Sequence, residues 1–207
     1  VGHSEYFVTE ACEYTNSFLS FYPKIGLILN IEEDHLDFFK DLADIRSSFH
    51  RFVLLLPSDG ALIINGSIPD LSGITADVAC PIITFGMDPS FTYSATDITY
   101  DEKGCASFLL LKEGAPDGHF TLSVPGEHNI LNALAAIALA DLLSVDPSVT
   151  AESLSGFHGT DRRFEYKGRI NDITIIDDYA HHPTEITATL KAAANYPHTV
   201  SYTHLTL

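Results

Sequence analysis

The chain has 207 residues, 45% of them hydrophobic, which is enough for the core of one large domain or one and a half ordinary ones. Its 28 acidic and 11 basic residues give a net charge of −17, which argues against nucleic acid and anionic membranes as partners and leaves neutral, cationic or metal-bridged ligands. The three cysteines lack the spacing of a disulfide framework or a zinc site, and no apolar run approaches the ~20 residues of a membrane span, so a cytoplasmic protein is expected.

The first part of the chain carries the pattern of an α/β fold. Residues 5–13 and 24–31 are predicted as strands, and each runs into a group of carboxylates. Residues 41–56 are predicted as an amphipathic helix, because apolar residues recur there at spacings of three and four. Two more short strands are predicted at residues 60–65 and 81–86.

The pattern changes to an antiparallel meander between residues 91 and 124. Short strands of mixed polar and apolar residues are separated there by turn-rich links, the second of which is Gly-Ala-Pro-Asp-Gly at residues 114–118. The strands are predicted at residues 93–100, 106–112 and 119–124.

Helices and a linker follow the meander. Residues 130–143 are predicted as an alanine-rich helix that allows close packing, and residues 147–156 as a second helix started by a proline. Residues 157–164 are predicted as a linker, with a domain boundary near residue 160. The elements predicted beyond it are a hairpin over residues 165–176 and a helix over residues 184–194.

The end of that hairpin brings polar groups to the start of a helix. Three β-branched isoleucines at residues 173–176 fit a strand, and Pro183 suits the first turn of a helix. Ligands of open α/β sheets bind beyond the carboxyl ends of strands, so the intervening loop is a candidate site. A helix cap or a solvated turn is the structural alternative. The polar residues of the loop are Asp177, Asp178, Tyr179, His181 and His182.

Three further groups of polar residues have the same two interpretations. Each group is either functional or structural, as a strand-end charge, a helix cap or a solvated linker cation. The groups are Glu10 with Glu13, the run Glu32 to His35, and the pair Asn129 and Asn132; Arg162 and Arg163 join Asp177 and Asp178 as the partners of the hairpin loop.

Five ordered motifs together resemble the Mur ligase family of peptidoglycan synthesis, over about residues 5–197. They are Glu-Ala-Cys-Glu-Tyr, Asn-Ile-Glu-Glu-Asp-His-Leu-Asp, Pro-Gly-Glu-His-Asn-Ile-Leu-Asn-Ala, Gly-Thr-Asp-Arg-Arg-Phe-Glu and Asp-Asp-Tyr-Ala-His-His-Pro-Thr-Glu. The resemblance implies a central ATP-binding domain at residues 1–160, with a mostly parallel sheet, helices and a small antiparallel sheet. Residues 161–197 would begin a Rossmann-like C-terminal domain, and residues 198–207 depart from the family pattern as an expected artefact of truncation.

The same resemblance implies a reaction and its cofactors. The substrates would be UDP-N-acetylmuramate and L-alanine, joined with ATP through an acyl phosphate, with Mg²⁺ as the metal. The acidic composition agrees, because such a chain can hold a polyanionic nucleotide only if its carboxylates and histidines recruit a cation. Related ligases use a carbamylated lysine as a metal bridge; the helix residues 46–52 contain no lysine, which favours the alanine-adding member.

Functional residues are carried over motif by motif. Glu10 would bind Mg²⁺ at the ATP phosphates, and His35 would bind a second, substrate-side Mg²⁺. Arg163 would reach the phosphates and stabilise the transferred phosphoryl group, and Asp178 would anchor the ribose or a hinge. The remaining nominations are Asn129 and Asn132 near the nucleotide, Tyr179 as a weaker cofactor contact, and His128, His181 and His182.

One expected family motif is missing from the sequence. The family's glycine-rich phosphate loop with its lysine does not occur in the 207 residues, so we expect that loop to precede Val1 and the chain alone to lack ligase activity. Two alternatives stay open: a non-catalytic nucleotide- or metal-binding remnant, and a metal-dependent hydrolase. The hydrolase would use His181, His182, Asp178, His35 and Glu10.

Overall fold

A computed structural model describes residues 3–194 of the chain. The chain divides into two compact units, Val1–Thr84 and Phe85–Leu207. The predicted domain boundary near residue 160 stays a prediction, and the predicted departure of residues 198–207 from the family lies outside the described residues. Within residues 3–194, no helix is long and apolar enough to cross a membrane.

The first unit is built on parallel strands. Its β1 and β2 pair in parallel from Ile25 opposite Ala61 to Ile28 opposite Ile64, and the N–H of Leu62 donates to the carbonyl of Pro81, 3.0 Å away. The elements are a 3₁₀ segment Tyr14–Ser20, β1 Ile25–Ile28, α1 Leu42–Val53, β2 Ala61–Asn65, α2 Leu71–Thr75 and β3 Ile82–Gly86, whose last two residues belong to the second unit.

Buried apolar side chains and a helix cap explain how these elements form and pack. All five residues of β2 are buried, as expected for a strand of a parallel sheet covered on both faces. Helix α1 begins where the Asp41 carboxylate accepts a hydrogen bond from the N–H of Asp44, 2.9 Å away, and it buries its Ile45 and Phe52 side. The ring of Phe18 stacks on that of Phe52 at 4.8 Å, joining the 3₁₀ segment to the core.

The second unit combines an antiparallel meander with helices. The end of β3 pairs in parallel with β4, whereas β4, β5 and β6 are antiparallel neighbours and β7 with β8 forms a separate antiparallel pair. Their bounds are β4 Tyr93–Tyr100, β5 Cys105–Lys112, β6 Ala115–Pro125, α3 His128–Leu142, α4 Pro147–Gly156, β7 Glu165–Ile170, β8 Ile173–Asp177 and α5 Pro183–Ala194.

The strand predicted at residues 5–13 is wrong. The chain is irregular there, and within residues 3–194 no strand pairs with it. Phe7 and Val8 are 87% and 81% exposed, so the apolar residues that suggested a strand gain no burial. A strand also needs a neighbour for its backbone hydrogen bonds, which a short apolar run cannot supply alone. Glu10 therefore does not follow a strand.

The position of the link predicted at residues 114–118 is also wrong. The turn between β5 and β6 is Glu113-Gly114, with φ of 51° and 77°, and Lys112 lies opposite Ala115. Two successive positive φ values close a two-residue hairpin, which glycine at the second position favours. Pro116 and Gly118 lie inside β6, beside a shift in its register.

Candidate functional site

A carboxylate–histidine cluster lies in the first unit. It consists of Glu13, Asp34 and His35, whose ligand atoms all lie within 4.8 Å of one another. The Nε2 atom of His35 is 3.5 Å from Oε1 of Glu13 and 3.9 Å from Oδ2 of Asp34. Glu10 is exposed and is not a member of this cluster, so its metal role stays a prediction.

The loop that follows β1 carries two members of the cluster. His35 has a left-handed φ of 53°, a conformation that histidine tolerates better than most residues. Its carbonyl accepts hydrogen bonds from the N–H groups of Phe38 and Phe39, both at 2.9 Å, and its own N–H donates to Oδ1 of Asp34 at 2.7 Å. The tight turn therefore aims the imidazole and the second Asp34 oxygen in a fixed direction.

The third member, Glu13, lies directly before the 3₁₀ segment, which is kinked near its start. Thr15 and Asn16 both have left-handed φ values, 53° and 58°, directly after Glu13 and Tyr14. The Asn16 Oδ1 atom accepts hydrogen bonds from the hydroxyl of Ser48 and from Nη2 of Arg51, the latter at 3.1 Å. Ser48 is fully buried in α1, so this contact holds the kink against the helix.

The donor set of the cluster suits a divalent cation. Adjacent ligands of an octahedral Mg²⁺ lie about 3 Å apart and opposite ligands about 4 Å apart, given bond lengths of about 2.1 Å. The two separations from His35, 3.5 and 3.9 Å, lie between these values. Two carboxylates supply the hard oxygen ligands that Mg²⁺ prefers. Sequence reasoning selected His35 but not Glu13 or Asp34, although both stood in the acidic runs.

The two predicted asparagines meet in the second unit. Asn129 Nδ2 donates to the carbonyl of Pro125 at 2.8 Å, and Asn132 Nδ2 donates to Asn129 Oδ1 at 3.1 Å. Because α3 starts at His128, the two side chains stand one turn apart on its first two turns. The side chain of Asn129 thus fixes the entry to the helix, and within residues 3–194 no donor bonds to the side-chain oxygen of Asn132.

Arg163 lies just before β7 and Asp178 just after β8, at the open end of the hairpin. Arg163 Nη1 lies 3.2 Å from Oε1 of Glu185, and 55% of the arginine side chain stays exposed. Asp178 accepts three hydrogen bonds, from the N–H of Phe164 at 2.9 Å, the N–H of Ala180 at 2.7 Å and the hydroxyl of Thr189 at 3.0 Å. These bonds join Asp178 to the residue before β7, to its own loop and to α5, and its two nominated roles, at the ribose or at a hinge, stay predictions.

The other nominated residues pack beside this hairpin. The guanidinium of Arg162 lies 4.5 Å from the centre of the Tyr179 ring, and the backbone N–H of Tyr179 donates to the Arg162 carbonyl at 2.7 Å. His181 Nδ1 is 3.6 Å from Oε2 of Glu185, an oxygen that also accepts from the N–H of His182 at 3.4 Å. Glu185 therefore organises the start of α5.

His128 lies in the same electrostatic neighbourhood. Burial by the surrounding protein lowers its pKa, the negative charge of Asp178 acts in the opposite direction, and the positive charge of Arg163 lowers it further. The Glu185 carboxyl behaves differently: burial would raise its pKa, but the N–H of His181 and the guanidinium of Arg163 lower it on balance. The structure thus groups His128, Arg163, Asp178 and Glu185.

The parallel strands of the first unit, the antiparallel β7–β8 pair of the second unit and the helices beside them define an α/β fold. The Mur ligase middle domain model matches residues 2–140, and the Mur ligase, glutamate ligase domain model matches residues 162–205. The chain belongs to the Mur ligase family, as its motifs predicted.

Relatives and a solved structure agree with this assignment. The chain is 57% identical over 199 residues to the UDP-N-acetylmuramate–L-alanine ligase of Lachnospira eligens and 55% identical over 198 residues to that of Agathobacter rectalis. It covers 43% of each relative, and 96% of the chain is aligned. The crystal structure of the UDP-N-acetylmuramate-alanine ligase MurC from Thermotoga maritima matches with a TM-score of 0.73 and 32% identity, over 87% of this chain and 40% of that one. The predicted α/β class with a small antiparallel sheet is confirmed.

Proposed function

We propose that this chain is part of an ATP-dependent ligase that joins L-alanine to UDP-N-acetylmuramate in peptidoglycan synthesis. The observation that carries the proposal is the identity of 55% and 57% to two ligases of that name along 96% of the chain. In this reaction the lactyl carboxylate takes the terminal phosphoryl group of ATP and releases ADP. The amine of L-alanine then attacks the acyl phosphate, and phosphate leaves.

The carboxylate–histidine cluster supports a role for Mg²⁺ in this reaction. A bound Mg²⁺ would neutralise charge on phosphoryl oxygens. Glu13, Asp34 and His35 would hold it, since their donor atoms converge within 4.8 Å. The hydrogen bonds of the His35 carbonyl and the Asn16 side chain keep these donors oriented before any ligand binds. Glu10 is proposed as a ligand of a separate ion at the ATP phosphates.

The second unit would contact the nucleotide. Arg163 is proposed to stabilise the negative charge on the transferred phosphoryl group, because its guanidinium is oriented by Glu185 yet remains 55% exposed. Asn132, whose side-chain nitrogen bonds to Asn129, is proposed to contact the nucleotide together with Asn129. Asp178 is proposed to fix the hinge, and Tyr179 to position Arg162 beside it.

A chimera tests the proposed reaction. The 198 aligned residues of the Agathobacter rectalis ligase are replaced by this chain, and ADP formation is measured with UDP-N-acetylmuramate and each of L-alanine, glycine and L-serine. We expect ADP formation to require L-alanine. The variant His35→Ala should lower kcat/KM by about 100-fold or more, because loss of a residue that only supports a metal ligand already costs about 10- to 100-fold. A folded chimera that forms ADP equally well without an amino acid would contradict the proposal.

A further inference from the structure

Tyr14 lies directly against the imidazole of His35. The two ring centroids are 4.5 Å apart with an angle of 30° between the planes, so one face of the imidazole is covered. The Tyr14 hydroxyl donates to Oδ2 of Asp37 at 2.7 Å. The ring of Phe38 meets Tyr14 edge-on at 6.0 Å. Tyr14 therefore contacts the His35 turn through both its ring and its hydroxyl.

The backbone next to Tyr14 is fixed by contacts with α1. The residue lies between Glu13, a member of the cluster, and the left-handed Thr15–Asn16 kink. Asn16 is bound to Ser48 and Arg51 of α1, as described above. The tyrosine ring thus spans from a fixed kink to the carboxylate of Asp37, two residues beyond His35. Tyr14 thus joins the two segments of the cluster in addition to the contact of Glu13 with His35.

The stacked Tyr14 ring covers one face of the His35 ring, while Nε2 of His35 faces Glu13 and Asp34. A metal-binding histidine usually donates its other ring N–H to a carboxylate or a carbonyl, which fixes the ring plane. In the part of the chain that the structure describes, Nδ1 of His35 has no hydrogen-bond acceptor. The Tyr14 ring therefore restricts the rotation that such a bond would otherwise restrict, and Nε2 stays directed toward Glu13 and Asp34.

We propose that Tyr14 is a positioning residue for His35: its ring and its bond to Asp37 hold the imidazole toward Glu13 and Asp34 for cation binding. The inference rests on the proposed metal role of His35. It extends that role to a residue that touches neither cation nor substrate. An aromatic residue that only packs on the surface would affect folding without changing cation affinity.

Cation binding by the 207-residue chain tests the inference, with Mn²⁺ as the probe. Free Mn²⁺ is measured by electron paramagnetic resonance for the wild type, Tyr14→Ala, Tyr14→Phe and His35→Ala. Tyr22→Ala is the matched control, because Tyr22 is 88% exposed in the same unit. We expect Tyr14→Ala to weaken Mn²⁺ binding about 10-fold, within the range seen for residues that orient metal ligands. Tyr14→Phe keeps the stacking and should lose about 3-fold, and Tyr22→Ala less than 2-fold.

A second readout follows the ring itself. In the metal-free chain, the Hε1 nuclear magnetic resonance signal of His35 should move downfield in Tyr14→Ala, because the shielding by the stacked ring is lost, and stay near its wild-type position in Tyr14→Phe. Thermal unfolding in chelator verifies that each variant is folded. Wild-type affinity in Tyr14→Ala, or a weakened affinity with an unmoved His35 signal, would overturn the inference alone. Unchanged affinity in His35→Ala would overturn both the proposed metal role and the inference.

Discussion

Gly60 is a position in the first unit where the backbone leaves no room for a side chain. A Cβ atom built on Gly60 would lie 2.2 Å from the Lys24 carbonyl oxygen and 3.0 Å from that of Pro57. Both are backbone atoms, and the Lys24 carbonyl accepts the hydrogen bond from Ala61 that begins the pairing of β1 with β2. The Lys24 carbonyl cannot move without disturbing that pairing, and the Pro57 carbonyl accepts a hydrogen bond from the N–H of Gly60 at 2.8 Å.

We therefore expect Gly60→Ala to lower the free energy of unfolding by about 2–3 kcal/mol, at the upper end of the cost of inserting a methyl group into packed protein. Gly156→Ala is the matched control, because no atom lies within 4 Å of its added Cβ and the residue ends α4. The control should be neutral or stabilising by up to about 1 kcal/mol. Urea unfolding measures both changes, and equal stabilities of the two variants would contradict the argument.

Single residues also mark where sequence reasoning reached its limit. His35 was predicted as a metal ligand from its motif, and the structure places it beside two carboxylates. Its partner Glu13 could not be selected over Glu10, because that choice depends on the left-handed kink after Tyr14. Such a kink at a threonine is rare, and local preference does not indicate it. Tertiary contacts of Asn16 with α1 are what stabilise it.

Three elements of the second unit meet at one carboxylate. Asp141 of α3 accepts hydrogen bonds from the hydroxyl of Tyr93 in β4 and from Nζ of Lys112 in β5, the latter at 2.7 Å. Lys112 and then Tyr93 lower the pKa of Asp141. Burial raises the pKa of Tyr93, so its hydroxyl remains a neutral donor. The contact fixes α3 against the meander.

The pH dependence of stability should report this contact. Because the folded-state pKa of Asp141 lies below its unfolded value of about 3.9, the contribution is complete above that value and is lost as the pH falls through the folded pKa. Asp141→Asn should cost about 1 kcal/mol at pH 7, a modest figure because 43% of the side chain is exposed. The difference from wild type should stay constant down to about pH 4 and narrow as the pH falls from there toward about pH 3.

Asp172→Asn is the control for that measurement. Asp172 pairs with Arg169 but its side chain is 91% exposed, so its replacement should change the free energy of unfolding by less than about 0.5 kcal/mol. Urea unfolding at pH 7 and between pH 3 and pH 4 gives the free energy of unfolding of each variant relative to wild type. A cost of Asp141→Asn that is the same at all of these pH values would show that charge has no part in the contact.

Elements with a strong period were predicted well, and irregular ones were not. The strand predicted at residues 93–100 matches β4, and the alanine-rich helix differs from α3 by two residues at its start and one at its end. The five-residue α2 was missed, because it contains Gly73 and is too short to show a period. The turn between β5 and β6 was misplaced, because Pro116 resembles a turn residue but lies in a strand.

At the scale of the whole molecule, five ordered motifs predicted the family and the α/β class, whereas the geometry around each candidate residue needed the structure. The contacts of Arg163 with Glu185 and of Asp178 with Phe164 join residues 22 and 14 positions apart. Their spacing in the sequence does not reveal such pairings.

Because the net charge is −17, we expect the stability of the folded chain to depend on the salt concentration. Twenty-eight carboxylates on a compact chain repel one another, and unfolding relieves that repulsion by moving them apart. Raising NaCl from 20 mM to 500 mM shortens the Debye length from about 20 Å to about 4 Å and should stabilise the folded chain by about 1 kcal/mol at pH 7. For a chain of this size that corresponds to a rise in Tm of about 2–4 °C.

The same salt series at pH 5 is the control, because the sequence isoelectric point is about 4.7 and the net charge is then small. Salt should change the Tm much less there, since little repulsion remains to be screened. An equal rise at both pH values would assign the effect to salting-out of apolar surface rather than to charge. A fall in Tm at pH 7 would mean that attractive pairs such as Lys24 with Asp59 outweigh the repulsion.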